Sequence, residues 1–154
     1  MSRRAFSTGN RGPEVASIFT QIIDGQLPAR FVWKDPECVV FLSNRPLRPG
    51  HALVVPRREI DHWLDLEPSL LTHLAETAQA IGKAQMAGFK PERIGMMLAG
   101  LEVPHCHLHV VPIMRIHDLD FGNQDPNADP AALDEAAETI RRELRKLGYS
   151  EAST

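Results

Sequence analysis

His105-Cys106-His107-Leu108-His109-Val110-Val111 is the stretch from which the rest of this chain is read. Side chains alternate across a β-strand, so this spacing puts His105, His107 and His109 on one face and Cys106, Leu108 and Val110 on the other. The second set is apolar enough for a core. The first is a poor choice for sheet stability alone. Each imidazole has two ring nitrogens that need partners when buried, and rings titrating at about pH 6.5 repel one another once charged. Strict two-residue spacing of histidines therefore points to chemistry.

Two chemistries fit the spacing. In the first, a neutral imidazole attacks phosphorus and forms a histidine phosphoramidate, which splits one displacement into two easier steps. A neighbouring ring neutralises charge on the phosphoryl oxygens, and no metal is required. In the second, His-x-His on a strand places two nitrogens on one Zn²⁺, with a third ligand from elsewhere. Cys106 points to the wrong face to be that ligand, and no other tight cluster of His, Cys or carboxylate lies nearby in the sequence.

Outward from this stretch, residues 103–113 and 93–98 read as strands, and so do Phe31 with Trp33, Val39 with Phe41, and His51 to Val55. Lys34-Asp35-Pro36-Glu37 supplies the turn between the first two strands. Apolar residues at helical spacing predict helices over 14–26, 66–88 and about 130–147. Pro68 suits the first turn of the second helix, and Asp129-Pro130 opens the last with an N-cap. Leu133, Ala137, Ile140, Leu144 and Leu147 form its apolar stripe, while residues 115–128 are a polar loop. Strand runs with short connections predict an antiparallel sheet in an α+β fold.

The chain has 154 residues, which predicts one domain over 14–150 behind a disordered arm at 1–13 that offers little to bury. A net charge of −3 gives no reason to expect nucleic acid or an anionic membrane as partner. No apolar run approaches the roughly 20 residues of a membrane span, and Met1 to Pro13 lacks the apolar core of a secretory signal. Two cysteines outside any Cys-x-x-Cys pair predict no disulfide framework and a reducing, cytoplasmic setting. Surface positions are expected for His62, His73 and His117.

His105 to Val111 is similar to the His-φ-His-φ-His-φ-φ signature (φ apolar) of the histidine triad family. Ile18-Phe19-Thr20-Gln21-Ile22-Ile23-Asp24-Gly25-Gln26-Leu27-Pro28-Ala29 resembles the opening of that family's nucleotide hydrolases. Phe41 and Pro49-Gly50-His51-Ala52-Leu53-Val54-Val55-Pro56 resemble its second block, so the likeness covers about 18–112. The resemblance implies a five-stranded antiparallel sheet with packed helices, a homodimer, and no cofactor or metal in the reaction. It implies action at the α-phosphate of a purine nucleotide, either a phosphoramidate or a dinucleoside polyphosphate. His107 inherits the nucleophile's role and would carry the nucleotidyl group. His109 sits by the phosphate and leaving group, His105 supports the site through hydrogen bonds, and His51 faces it.

By the same matching, the nucleotide pocket draws on Phe19, Ile22, Phe41, Ser43, Asn44 and Leu53, and the segment Gly100, Leu101, Glu102, Val103 passes the phosphate. Several positions depart from the family pattern. Ser43 stands where Asp often holds the ribose hydroxyls, Leu101 where Gln is common, Glu102 where Ser is common, and Ile94 where Asn is common. Some members bind structural zinc through Cys-x-x-Cys near the start, but Ser17-Ile18-Phe19-Thr20 carries no sulfur, so no such site is expected. Two rival readings remain beside the covalent one. A metal-dependent hydrolase would use His105, His107 and His109 as ligands, and a nucleotide-binding protein with little turnover would follow from the thinned polar contacts.

Overall fold

The computed structural model describes residues 15–153, so the arm expected at 1–13 lies outside the described residues. Five strands, β1 (Phe31–Lys34), β2 (Cys38–Leu42), β3 (Ala52–Pro56), β4 (Arg93–Met97) and β5 (Leu108–Ile113), form one sheet in the order β1-β2-β3-β5-β4. Every neighbouring pair is antiparallel. Helices α1 (Ile18–Ile23), α2 (Pro68–Phe89) and α3 (Pro130–Lys146) complete the expected α+β architecture.

One sheet face is covered by the two long helices. Val32, Cys38, Val40, Ala52, Val54, Leu108 and Val110 pack there against Leu74 and Ile81 of α2 and Ile140 and Leu144 of α3. The other face carries Val39, Phe41, Leu53 and Val55 beneath Phe19 and Ile22 of α1. Both faces of the central strands are therefore covered, which explains the unbroken burial along β2, β3 and β5.

The element bounds differ from the sequence reading in instructive places. The strand expected over 103–113 begins only at Leu108. Pro104 has no N–H to give a ladder, His105 N bonds Val103 O at 2.8 Å in a tight turn, and Cys106 N donates to Ile60 O at 2.7 Å. The helix expected over 14–26 spans six residues. Ser17 Oγ caps it by accepting from Thr20 N at 3.0 Å, and Gly25, at φ +80°, supplies the left-handed residue that ends the turn. Leu147, expected in the stripe of α3, lies past its end and is 48% exposed.

The polar loop over 115–128 is ordered by its own side chains. Short 3₁₀ turns form at Ile116–Leu119 and Phe121–Asn123. The buried Asp118 carboxylate accepts the N–H groups of Met114 and Arg115, and Asp125 N donates to Pro46 O, fastening the loop beside the sheet. At the opposite edge, Ala152 bridges to Trp33, so the tail covers part of β1. No described helix is long and apolar enough to cross a membrane.

Candidate active site

The site begins with a backbone amide. Leu47 N lies 3.1 Å from His51 Nδ1 and donates to it. A nitrogen that accepts this bond holds a lone pair, so the proton of neutral His51 is on Nε2. That N–H points at His109 Nδ1, 2.9 Å away. His109 Nδ1 is thereby an acceptor, and the proton of neutral His109 is on Nε2. One peptide N–H thus fixes two tautomers in series. A doubly protonated His109 would set two N–H groups against each other, so the relay keeps this ring neutral. Burial acts in the same direction, holding His51 down at about 3 and His109 at about 4, with repulsion between the rings adding to it.

His107 is set the opposite way. Its Nδ1 lies 2.8 Å from the carbonyl oxygen of His105 and donates to it. The lone pair is then on Nε2. Burial lowers the pKa of this ring, partly opposed by that carbonyl and by the charge of Glu102. His107 packs edge-on against Phe19 and His109, each with centroids 4.9 Å apart.

His105 anchors the turn that supplies this carbonyl. Its Nε2 donates to Pro56 O at 2.7 Å, so Nδ1 accepts from the Ser17 hydroxyl, also at 2.7 Å. Glu59 closes the outer end by accepting from Thr20 Oγ1 at 2.9 Å and from Ser17 N. Those bonds, led by the Ser17 amide, lower the pKa of Glu59. The hydroxyls of Ser17 and Thr20 are engaged with His105 and Glu59, and hydroxyls do not suit a structural zinc site. Behind the sheet, buried Gln85 donates from Nε2 to Gly50 O and Val110 O, both at 2.9 Å, clamping the backbone beside His51 and His109.

Two adjoining spaces open on this face. His107 and His109 line a cavity of about 150 Å³ with Gly100, Leu101, Glu102 and Phe121. Phe19, Ile22, Phe41, Ser43, Asn44, Leu53, Glu102 and Val103 line a second, of about 420 Å³. Every expected pocket residue therefore borders one of the two, and Glu102 borders both. His51 and His105 line neither and stand behind His109 and His107.

Several expectations are refined. Leu101 is 95% exposed and offers no polar contact. Ser43 Oγ accepts from Arg45 N at 3.2 Å, so its oxygen is partly committed to the local turn. His62 and His117 are exposed, as expected, but His73 is half-buried and bonded to Asp35 at 2.8 Å. Among the described residues, the ligand atoms of the triad histidines do not converge on a common point; Asp35, Cys38 and His73 are the cluster whose ligand atoms do.

Phe121 packs its ring on His109 with centroids 5.1 Å apart, and three contributors escaped the sequence reading: the Leu47 amide, Ser17 and Glu59. Ser17 carried a local signal, since a serine before an apolar run is a standard N-cap. Glu59 acts across 39 residues, and the Leu47 donor is a backbone amide four residues from His51 that no residue type marks.

The chain is similar to known proteins in sequence and in fold. An uncharacterized HIT-like protein of Methanocaldococcus jannaschii is 30% identical over 99 residues, covering 62% of this chain and 77% of that protein. A bifunctional bis(5'-adenosyl)-triphosphatase/adenylylsulfatase of Arabidopsis thaliana is 30% identical over 122 residues, covering 76% of this chain and 65% of that one. Among solved structures, a zinc-bound histidine triad family protein from Mycobacterium smegmatis superposes with a TM-score of 0.74 at 27% identity, covering 84% of this chain and 94% of that chain. The HIT domain pattern matches residues 24–116, which hold the whole sheet and the whole triad, and this chain belongs to the HIT domain family.

Proposed function

We propose that this chain is a nucleotide hydrolase that acts at the α-phosphorus of a purine nucleotide through a covalent intermediate on His107. The observation that carries the reading is the bond from His107 Nδ1 to the His105 carbonyl. It commits one ring nitrogen and leaves the lone pair on the other, in a ring that burial keeps neutral. In the first step Nε2 bonds to phosphorus and the bond to the leaving group breaks. The ring becomes cationic, and its Nδ1–H bond to the carbonyl strengthens. In the second step water bonds to phosphorus, the P–N bond breaks, its electron pair returns to Nε2, and a water proton passes to solvent.

The tautomer of His109 narrows the substrate class. A neutral ring whose N–H is Nε2 donates a hydrogen bond to a phosphoryl or leaving-group oxygen, but it has no spare proton to hand to an amine. This favours leaving groups that depart as stable anions, such as a nucleoside polyphosphate, over phosphoramidates. The Arabidopsis relative, named as a triphosphatase and adenylylsulfatase, fits the same pattern. A nucleobase would occupy the larger space between Phe19, Ile22, Phe41 and Leu53.

The resemblance implies a homodimer, and the exposed face of α2 and β4 supports one. Leu71, Gly82, Met86, Ile94 and Met96 line an apolar groove of about 970 Å³ along this edge of the sheet. A second copy is the occupant we assign to it.

The test is alkali-quenched single turnover with diadenosine polyphosphate labelled at the α-phosphorus, since the P–N bond of a nucleotidyl-histidine survives alkali and hydrolyses in acid. Label bound to His107, absent in His107→Ala, is the expected result. Turnover with no trapped label, or His107→Ala retaining most of the wild-type kcat, rejects the covalent route. Faster turnover of adenosine phosphoramidate than of the anhydride rejects the assignment of leaving group.

A further inference from the structure

We propose that Asp35, Cys38 and His73, on the helical side of the sheet and away from the triad, form a binding site for one borderline-soft divalent cation, with Zn²⁺ as the best match. Asp35 and Cys38 flank the β1–β2 turn and His73 projects from α2. One ligand atom from each, carboxylate oxygen, thiol sulfur and imidazole nitrogen, lies within 4.8 Å of the other two. Sulfur with imidazole is a donor set that suits zinc and not magnesium or calcium.

The turn is closed around the Asp35 carboxylate. Asp35-Pro36-Glu37-Cys38 separates two ligands by two residues, the shortest spacing of structural zinc sites. The N–H groups of Glu37 and Cys38 both donate to Asp35 Oδ1, at 2.7 and 2.8 Å, and Trp33 Nε1 donates to Oδ2 at 2.8 Å. These bonds fix the carboxylate in place and hold its pKa low against the burial that would raise it. Such donors behind a ligand are the outer shell that metal sites require.

His73 is oriented in the same sense. Its Nδ1 faces Glu37 Oε2 at 3.4 Å, while Nε2 faces Asp35 Oδ2 at 2.8 Å. In this structure Nε2–H donates to the Asp35 carboxylate, so a bound cation would take that proton's place while Nδ1–H turns to Glu37, the arrangement typical of a ligating histidine. Cys38 Sγ sits 3.3 Å from the same Asp35 oxygen and donates its proton there. Without a cation the thiol is pushed up to about 12, by burial first and by Asp35 in addition. Binding would release that proton to solvent and put the cation between sulfur, oxygen and nitrogen, with water as the fourth ligand. His73 is partly exposed, which gives the ion a path in.

The experiment is optical titration of the chelator-treated, full-length protein with Co²⁺, followed by displacement with Zn²⁺. One equivalent should give a sulfur-to-cobalt charge-transfer band that Zn²⁺ abolishes, and Zn²⁺ should raise Tm. Binding at the triad gives no such band, because its ligands contain no sulfur. His73→Ala should lose the band, and Glu37→Gln, at the exposed rim, should weaken Co²⁺ binding about tenfold. Cys38 is a core residue, so the two rim variants decide the matter if Cys38→Ala fails to fold. No band in the wild type, or equal affinity in His73→Ala, overturns the proposal.

Discussion

His51 Nε2 and His109 Nδ1 are 2.9 Å apart, and the proton between them belongs to His51 because the Leu47 amide occupies its other nitrogen. His51 lines neither space on this face of the sheet, so its contribution to chemistry is the tautomer it imposes on His109. His51→Phe keeps a planar ring and removes both bonds. With His109 free to turn its N–H away from the phosphate, kcat should fall about a hundredfold, the usual loss for one misdirected donor, with KM little changed. Steady-state kinetics and circular dichroism check this. An unchanged kcat in a folded variant would contradict the relay.

Stability should fall on mild acidification. Burial depresses the pKa of His51 to about 3 and of His109 to about 4, and lowers those of His105 and His107. Unfolded, each ring titrates at about 6.5. Above that pH both states bind equal numbers of protons. Below it the unfolded chain takes up protons that the native state refuses, so unfolding becomes easier. For His51 the loss runs from about pH 6.5 to about pH 3 and is on the order of 5 kcal/mol. Urea unfolding at about pH 7, 6 and 5 measures the slope. A free energy of unfolding that stays flat over this interval would refute the assignment of neutral, buried rings.

The sheet and the triad were legible because their signals are local. Alternation from His105 to Val110 sorted ring faces from core faces correctly, even though the ladder itself starts only at Leu108. Apolar spacing found α2 and α3 almost to the residue because long periodic runs average over local exceptions. The short α1 was overextended, since Val15 is 87% exposed and continues the apolar pattern without continuing the helix. What the sequence could not show was which atoms hold the rings. The Leu47 amide, the Pro56 carbonyl and Glu59 sit in turns and loops, and nothing in their residue types marks them as partners of a histidine. His73 read as a surface helix residue for the same reason: Asp35, its partner, lies 38 residues earlier in a turn.

The groove between α2 and β4 leads to a prediction about assembly. Met96 is 57% exposed on the edge strand and borders this apolar space. Met96→Lys would place a charge on a face that we assign to a second copy, and burying an unpaired ammonium is strongly unfavourable. Sedimentation velocity should show the wild type as a dimer. The variant should shift toward monomer at equal concentration, with its circular dichroism unchanged. A monomeric wild type, or a variant that sediments identically, would remove the groove as a self-association face.

Glu102 borders both the triad cavity and the larger pocket, and its charge is felt at His107. A carboxylate there opposes the approach of an anionic phosphate chain, and at the exposed mouth of the site the repulsion is on the order of 1 kcal/mol. Glu102→Gln keeps the side chain's size and removes the charge, so kcat/KM for a dinucleoside polyphosphate should rise about fivefold. The gain should shrink as salt is added, because exposed charges are screened over about 8 Å at physiological ionic strength. A neutral substrate analogue should gain nothing, which separates electrostatics from any change in shape. If kcat/KM falls instead, Glu102 is contributing to the reaction, and the most direct role left to it is raising the basicity of the His107 ring from close range.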